Sequence, residues 1–549
     1  MQLNALPQVR KPENSPYVGF EKCSQKREEL LAKLDEIRRN NGDVKILPLW
    51  INGPVKTKEL GNCTPPHDMG RLLAHYCKAS PEHVVGAIKT VLRARKKWQS
   101  LPWRNRLLIF ENAARLLETK YFVEMNAAVM EDLSKNPHEA SIDVQEAIDF
   151  LKFNCKWASE IYAQQPDNCI DSANTINFRP LEGFVYAIPP FNFAAIACNL
   201  PCAPLIMGNV VVVKPCSDTV YSFHVLLKIL LEAGLPKDVL SVVQGNSGTI
   251  SEIVLEHNEL SGVHFTGSTG VFEDIWSQVG LNVGKQKYKG YPRLVGETGG
   301  KNPVIVFPDY NACKSAEMIW RGALGYQGQK CSATSRVYVD EKKWPELRHH
   351  LIESMNALRT GDVADFSKFM GAVINAKARD NINSYIDQAL LDVEQDKLEE
   401  VLVFPSGFTK NGTVGYFVDT ALIVTNDPFY RTMEEEIFGP VLTVCVLPKK
   451  NYKNNVFDIC DKTSKYALTG AAHTNNMYLF EEACMRVRAG NFYNTMTTGA
   501  YIGKQPFSGD RKSGTNSKVG GPWNLLNWVS IQSLSFSFKP PLFLPMYLS

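Results

Sequence analysis

A run of four valines at residues 210–213 stands out from the mixed apolar and polar positions around it. A continuous β-branched run is typical of a strand that is buried on both faces. Apolar residues then recur at helical spacing over 225–233 and stop at Gly234, which predicts a helix with a sharp end. The next predicted elements are a strand at 240–243, a helix at 250–255 and a strand at 262–265. Alternating strands and helices at this spacing predict a parallel, doubly wound sheet.

The remaining pattern divides into a mainly helical part before this sheet and a second α/β region after it, at 304–487. Ser80 and Pro81 have the chemistry of a helix N-cap and a first helical position. Residues 175–188 form two extended segments broken at 180–183, which predicts a hairpin or an edge pair. The other predicted helices are 25–40, 104–119, 140–163, 342–358 and 376–392, and the other predicted strands are 304–307, 336–339, 416–424 and 441–447.

Two apolar stretches are candidates for a membrane span or a subunit interface. Residues 193–213 lack charge but include Asn199, Pro201 and Pro204, which predict a buried helix and a strand rather than a membrane span. The tail at 535–549 is apolar and contains three prolines. We expect it to lie against another domain or subunit, and the alternative is a frayed end.

Composition narrows the class of protein. A chain of 549 residues predicts two or three domains, and a net charge of +3 gives no reason to expect a nucleic-acid partner. The 13 cysteines are odd in number and form no CxxC pair, which favours a reducing compartment over a disulfide scaffold or a structural metal. The first residues show neither a secretory signal nor an amphipathic transit helix.

Three residues are candidates for covalent chemistry. Cys331 lies in GYQGQKCSATSR, where small residues would leave the thiol accessible and the preceding Lys330 would favour its thiolate. Glu297, in GETGG, is a candidate general base. Asn192, in PPFNF, is a candidate oxyanion donor. Each also has a plainer interpretation: an inert packing cysteine, a turn residue and a helix cap.

Other motifs suggest a nucleotide site. Gly267 and Ser268 lie between a predicted strand and helix, where amides bind phosphate, but their spacing is not GxGxxG and a simple turn explains it equally well. Lys214 follows the buried strand, at the edge where α/β sheets bind ligands. In EEEIFGP, Glu436 precedes Phe438, and this segment would hold a polyol such as ribose or begin a solvated loop.

These motifs occur together in an order that resembles the aldehyde dehydrogenase superfamily. From Glu297 to Cys331 the interval is 331 − 297 = 34 residues, as in that superfamily. The segments that carry the resemblance are PFNF, GNVVVVK, FTGS, GETGGKNP, GQKCS, EEIFGP and QPFSG. The chain is most similar to the 1-pyrroline-5-carboxylate dehydrogenase branch, through LEGF at 181–184, PRLV at 292–295, GYFV at 415–418, GNFY at 490–493 and TGAYIGKQPF at 498–507.

The resemblance implies an α/β fold with three parts. We expect a Rossmann-type NAD-binding domain at 1–162 and 185–299, a catalytic domain at 300–512, and an oligomerisation element of a β-hairpin and the C-terminus at 163–184 and 513–549. It implies oxidation of L-glutamate γ-semialdehyde to glutamate in proline catabolism, with NAD as cofactor and NADP as the alternative. It also implies no metal, no membrane partner, a homodimer or higher homo-oligomer, and the mitochondrial matrix, with the cytoplasm as the alternative.

Residue roles follow from the same resemblance. Cys331 would attack the aldehyde, Asn192 would stabilise the oxyanion, and Glu297 would activate the hydrolytic water. The expected cofactor residues are Lys214, Gly267, Ser268, Glu436 and Phe438. The expected substrate residues are Ser332, Gly499 and Ala500 at the α-carboxylate, and Phe193 and Phe507 along the aliphatic part.

Three positions depart from the superfamily pattern. Ala140 stands where some members have an acid, and Glu139 is one residue earlier. Ser217 stands three residues after Lys214, where many NAD-selective members have a glutamate. The segment at 494–497 is one residue short, so the anchor loop at 499–500 is open to a shift of one. A dehydrogenase for another small aldehyde, a CoA-acylating enzyme and a non-catalytic binding relative are the alternatives.

Overall fold

Two seven-stranded sheets with packed helices form the frame of the molecule. The structure, a computed structural model, describes residues 9–39, 44–408 and 414–538. The helices are, in chain order, α1 (Gln25–Arg39), α2 (Pro81–Ser100), α3 (Trp103–Glu118), α4 (Phe122–Leu133), α5 (Pro137–Ala163), α6 (Ala194–Ile206), α7 (Val220–Glu232), α8 (Ser247–Glu256), α9 (Thr269–Gly284), α10 (Ala312–Leu324), α11 (Trp344–Ala357), α12 (Ala376–Glu394), α13 (Arg431–Glu434), α14 (Lys449–Thr463), α15 (Met477–Arg486) and α16 (Pro522–Leu526). The strands are β1 (Ile46–Leu47), β2 (Leu49–Trp50), β3 (Pro54–Val55), β4 (Leu60–Cys63), β5 (Ala74–Cys77), β6 (Ser172–Pro180), β7 (Phe184–Ile188), β8 (Val211–Val213), β9 (Leu240–Val242), β10 (Leu260–Thr266), β11 (Arg293–Glu297), β12 (Asn302–Val306), β13 (Thr334–Asp340), β14 (Glu400–Phe404), β15 (Thr420–Thr425), β16 (Val441–Leu447), β17 (Tyr466–Ala467), β18 (Thr469–His473), β19 (Asn491–Tyr493), β20 (Asp510–Arg511) and β21 (Val529–Ser537).

The first sheet has the order β11-β10-β7-β8-β9-β2-β3. Its strands from β11 to β9 are parallel, and β2 and β3 add an antiparallel edge. The valine run forms β8 at the centre of this sheet and is fully buried, as the sequence predicted. Helix α6 and strand β8 account for the apolar stretch at 193–213. Among the described residues, no helix is long and apolar enough to cross a membrane.

The second sheet has the order β14-β15-β16-β13-β12-β18-β19 and is parallel except for β14. A separate apolar core lies beneath it, built on β12, β13 and β16 with helices α10 and α11. The predicted strand at 416–424 begins four residues late, at Thr420. Between the two sheets, Glu297 ends β11 and Cys331 precedes β13, so each sheet supplies one of the two predicted reacting residues.

The predicted hairpin at 175–188 is wrong. Strand β7 enters the first sheet between β10 and β8, whereas β6 pairs antiparallel with β21 in a two-stranded ribbon. All residues of β7 except the last are buried, but β6 is half-exposed, so the two strands suit different environments. Adjacent strands in sequence pair only about two-thirds of the time. Most of the apolar tail, residues 539–549, lies outside the described residues.

Helix α4 was not predicted, and its packing explains why. Ten of its twelve residues are buried, so it has no polar face and no 3.6-residue alternation to detect. Helices α3 and α5 were predicted within about three residues at each end, and the start of α2 at Pro81 was predicted correctly. The left-handed Ser134 ends α4 and leads into α5, which forms one wall of the site described next.

Candidate active site

The loop that carries Cys331 has an unusual backbone. Tyr326 and Gln327 both adopt left-handed conformations, with φ of 51° and 55°, which residues with side chains rarely do. The Tyr326 hydroxyl donates to the carbonyl of Leu133 at 2.8 Å, and the Gln327 amide donates to the carbonyl of Ala372 at 2.8 Å. Because strained conformers persist only where their surroundings hold them, this loop fixes the thiol in place.

Glu297 faces that thiol. Its Oε1 lies 3.7 Å from the Sγ of Cys331, and the two residues are 5 % and 9 % exposed. Burial raises the pKa of Glu297 to about 8, with opposing contributions from the Cys331 thiol and the Lys518 ammonium. Burial, followed by the charges of Glu297 and Glu436, raises the pKa of the Cys331 thiol well above its usual value. The carboxylate is therefore placed to receive the proton that the thiol must lose.

Lys330 does not play the part that the sequence suggested. Its Nζ lies 2.6 Å from a carboxylate oxygen of Glu139 on α5, and the pKa of the neighbouring thiol is raised rather than lowered. The expectation of a thiolate favoured by Lys330 is therefore wrong, because the buried Glu139 carboxylate already pairs with this ammonium. Cys331 is also not exposed on the outer surface: it is buried but lines a cavity, so the thiol is accessible to a small molecule that enters there.

A cavity of about 400 Å³ opens beside the thiol. Six predicted residues line it: Cys331, Glu297, Ser332, Ala500, Phe193 and Phe507. Asn192 and Gly499 each adjoin a lining residue. The Asn192 amide donates to the carbonyl of Gln329 at 3.0 Å, and the Gly499 N–H donates to the carbonyl of Met496 at 3.1 Å.

A buried ion pair supports the segment that carries Asn192. The Nζ of Lys135 lies 2.8 Å from the carboxylate of Asp143, and both side chains are fully buried. That carboxylate also accepts the backbone N–H groups of Ala194 and Ala195 at 3.0 and 2.8 Å, in the first turn of α6. Negative charge at a helix N-terminus is favourable. Sequence reasoning missed this support, because no spacing rule links residues of three separate elements.

Charged residues outside the predicted substrate-binding set also line the cavity. Glu139 and Glu146 reach it from α5, and Lys330 pairs with the first of them. Burial and the charge of Asp143 raise the pKa of Glu146 to about 8. Ala140 is fully buried in the core, so Glu139 is the acid that faces the cavity at this departure from the pattern. The sequence offered one indication of Glu139, namely that it is adjacent to Ala140.

The predicted phosphate-binding residues begin helix α9. Ser268 is the N-cap, and Gly267 joins it to the end of β10. A side chain at Gly267 would place its Cβ 2.7 Å from the ring of Phe265, so the position requires a residue without one. The first N–H groups of this 16-residue helix have no partner within the helix, which suits an anion.

The other predicted cofactor residues are buried or conformationally fixed. Glu436 accepts the N–H of Gly300 at 2.8 Å, and burial raises the pKa of this carboxyl to about 7. Phe438 has a left-handed φ of 59° and packs edge-to-face on Phe191. Lys214 is buried just after β8, and burial lowers the pKa of its amine.

Comparison with known proteins agrees with this geometry. The aldehyde dehydrogenase family matches residues 54–534. The chain belongs to the aldehyde dehydrogenase family. This aldehyde dehydrogenase is 40% identical over 542 residues to a mitochondrial delta-1-pyrroline-5-carboxylate dehydrogenase of Dictyostelium discoideum, with 98% of this chain and 95% of that one covered. The human mitochondrial relative of the same name is 37% identical, with 96% and 92% covered.

Solved structures give the same result for the fold of this aldehyde dehydrogenase. The delta-pyrroline-5-carboxylate dehydrogenase from Mycobacterium tuberculosis, in a crystal structure with bound NAD, is 36% identical and has a TM-score of 0.91. The match covers 98% of each chain. The predicted α/β fold of the aldehyde dehydrogenase type is thereby confirmed, including the strands on which Glu297 and Cys331 depend.

Proposed function

We propose that this enzyme oxidises L-glutamate γ-semialdehyde, the open form of 1-pyrroline-5-carboxylate, to L-glutamate with NAD in proline catabolism. The observation that carries the proposal is the Cys331–Glu297 pair, 3.7 Å apart and facing a cavity of about 400 Å³ that suits a five-carbon substrate. Relatives that carry the name of this activity match the chain over nearly their whole length.

The first chemical step belongs to Cys331. Its thiolate adds to the aldehyde carbon while Glu297 holds the proton released by the thiol. The developing oxyanion is stabilised by the Cys331 backbone N–H and by Asn192, whose amide has two N–H donors and uses one on Gln329. A thioester remains on Cys331 after oxidation. Glu297 must first release that proton. It then takes a proton from the water that attacks the thioester, and the C–S bond breaks, which releases glutamate and returns Cys331 as a thiolate.

The residues around α9 fit a dinucleotide. The N-terminus of α9 with Gly267 and Ser268 would hold the pyrophosphate, Glu436 and Phe438 the nicotinamide ribose, and Lys214 the adenine-side ribose. Gly299 leaves room for this carboxylate, because a Cβ there would lie 2.1 Å from Glu436 Oε2. When bound, NAD supplies a hydride acceptor at this centre.

The two ends of the substrate require different partners. Ser332 and the N–H of Ala500 would hold the α-carboxylate, and the predicted contribution of Gly499 would require its N–H to leave the carbonyl of Met496. Glu139, a buried acid on the cavity wall that pairs with Lys330, would also hold the α-amino group. Phe193 and Phe507 also line the cavity and would enclose the aliphatic part.

Location and assembly complete the proposal. The relatives are named as mitochondrial, so we place this enzyme in the mitochondrial matrix. The division into 1–162 with 185–299, 300–512, and 163–184 with 513–549 stands as our proposed domain arrangement. In the third of these parts, strands β6 and β21 form a ribbon with exposed apolar side chains nearby. The exposed fractions are 55 % for Ile531, 69 % for Phe536 and 64 % for Phe538. We propose that this ribbon joins two copies into a homodimer. The mass of the protein in solution, measured with and without charged substitutions on the ribbon, tests this.

The deciding experiment compares substrates in a steady-state assay of NADH formation. Pyrroline-5-carboxylate with NAD should give the highest kcat/KM, well above that for a small aldehyde without an α-amino acid group. Equal values for the two aldehydes would contradict the assignment of the substrate. The same assay with NADP measures cofactor preference.

A further inference from the structure

A short segment before helix α1 lies along helix α5. We call this segment, residues 14–18, the N-terminal strap. Four polar residues of α5 bind it: His138, Ser141, Gln145 and Asp149. Their positions are three, four and four residues apart, so they form one stripe along the helix. The N-terminal strap therefore follows α5 over about three turns, rather than touching it at one end.

Two of these bonds hold the main chain of the N-terminal strap. Ser141 Oγ donates to the carbonyl of Val18 at 2.7 Å, and the Gln145 amide donates to the carbonyl of Pro16 at 2.8 Å. Both donor residues are buried. Because a buried donor that loses its partner destabilises the fold, these bonds fix the path of the N-terminal strap along the helix.

Asn14 joins this segment to two other parts of the molecule. Its side-chain amide donates to the Asp149 carboxylate at 2.7 Å and to the carbonyl of Ile502 at 2.8 Å. The backbone N–H of Ser15 donates to the other oxygen of Asp149 at 2.8 Å. An amide has two N–H donors, so the two bonds of Asn14 use both of them. One side chain thus connects α5 with the loop that contains Ile502.

The two elements that Asn14 connects form separate walls of the substrate cavity. On α5, Glu139 and Glu146 line the cavity from the stripe next to the one that binds the N-terminal strap. On the loop at 499–502, Ala500 and Ile502 line the same cavity. Asn14 belongs to neither wall, so it acts on a bound molecule only through the position of these two elements.

We propose that Asn14 is a positioning residue that fixes the loop at 499–502 relative to α5, and so sets the preference for an aldehyde with an α-amino acid group. This inference rests on the proposed function, in which Ala500 holds the α-carboxylate and Glu139 the α-amino group. A substrate that binds both walls requires them at a fixed separation. An aldehyde without these groups needs only the reacting centre at Cys331.

The test replaces Asn14 with Ala and compares two aldehydes by the formation of NADH. For pyrroline-5-carboxylate, KM should rise by about tenfold and kcat should change by less than about twofold, because the reacting pair is untouched. For propanal, kcat/KM should stay within about twofold of the wild-type value. The ratio of the two kcat/KM values should therefore fall by about tenfold. A general loss of stability would lower both values together, so this ratio separates positioning from a purely structural role.

Hydrogen exchange without substrate gives a second readout. Backbone amides of residues 496–502 should exchange faster in Asn14→Ala than in the wild type, by about tenfold, because the loop has lost its bond to α5. If the wild type shows no preference for pyrroline-5-carboxylate, the proposed function fails, and this measurement still tests Asn14. Asn14→Ser is the milder variant for the same measurements if Asn14→Ala does not fold.

Two further variants separate the contact with α5 from the contact with the loop. Gln145→Ala removes another buried bond between the N-terminal strap and α5, and it should leave the ratio unchanged. Exchanging Asn14→Asp with Asp149→Asn restores a bond between the two residues but removes the donor that faces the Ile502 carbonyl, so the ratio should stay low. A wild-type ratio or unchanged loop exchange in Asn14→Ala, or an equal fall of the ratio in Gln145→Ala, would overturn the proposal.

Discussion

Replacing Glu297 with Gln should separate the two halves of the reaction. Glutamine has nearly the same shape but cannot accept a proton, so the thioester on Cys331 should form and then persist. The thiol must then pass its proton to water, so we expect one equivalent of NADH per active site to form more slowly than in the wild type, followed by still slower turnover. General-base assistance contributes about 100- to 10,000-fold, so steady-state kcat should fall within that range.

The structure also sets the pH dependence of the wild-type enzyme. With a pKa of about 8, Glu297 is ionised in about one molecule in ten at pH 7 and in about nine in ten at pH 9. The base works in its ionised form, so activity is present above this pKa and is lost as pH falls through it. When hydrolysis limits turnover, kcat should therefore rise roughly tenfold between these two pH values.

Stopped-flow measurement of NADH at several pH values checks both expectations in one experiment. The burst amplitude counts the competent thiols, and the slow phase reports hydrolysis of the thioester. The Glu297→Gln variant should retain the burst and lose the pH-dependent rise of the slow phase. Turnover at the wild-type rate, or a rise with pH that survives the substitution, would refute the assignment of Glu297 as the base.

Two further predictions concern residues around the nucleophile. Glu139→Gln leaves the Lys330 ammonium without its buried partner, so the free energy of unfolding should fall by about 3 kcal/mol, while the double variant with Lys330→Met should recover part of this. Urea unfolding measures both, and equal losses in the single and double variants would contradict the pairing. Gly300→Ala places a Cβ 2.2 Å from the carbonyl oxygen of Cys331, so kcat should fall by about 100-fold. The exposed Gly280, where a Cβ meets nothing within 4 Å, is the control for that variant, and an equal effect of Ala at both glycines would show that the contact is unimportant.

Much of the fold could be predicted because its signals are local. The valine run of β8 and the Ser80–Pro81 start of α2 carry their structure in a few consecutive residues. The pairing of strand β6 could not be predicted, because its partner β21 lies about 350 residues later and no local pattern indicates a long-range pairing. Helix α4 was missed for a different reason: burial on all sides removes the alternation of apolar and polar positions by which a helix is recognised.

The candidate site divides in the same way. The positions of Cys331 and Glu297 followed from a motif spacing, and their distance of 3.7 Å is consistent with it. The charges around them could not be predicted, because an ion pair depends on which side chains the fold brings together. Lys330 is adjacent to Cys331 in the chain but pairs with Glu139 on helix α5.

The pattern of charge in the cavity also bears on which aldehyde it accepts. Glutamate semialdehyde is a zwitterion at its α-carbon, so it needs a negative partner and a set of N–H donors within one small volume. The wall offers Glu139 from α5 and the loop at Ala500, with Cys331 lining the same cavity. A simple aliphatic aldehyde would desolvate these polar groups without pairing them, which costs binding energy. Because Glu139 already pairs with Lys330, the preference for the zwitterion should come from the cost of leaving the N–H donors of the Ala500 loop unpaired as much as from the contacts that the amino acid gains.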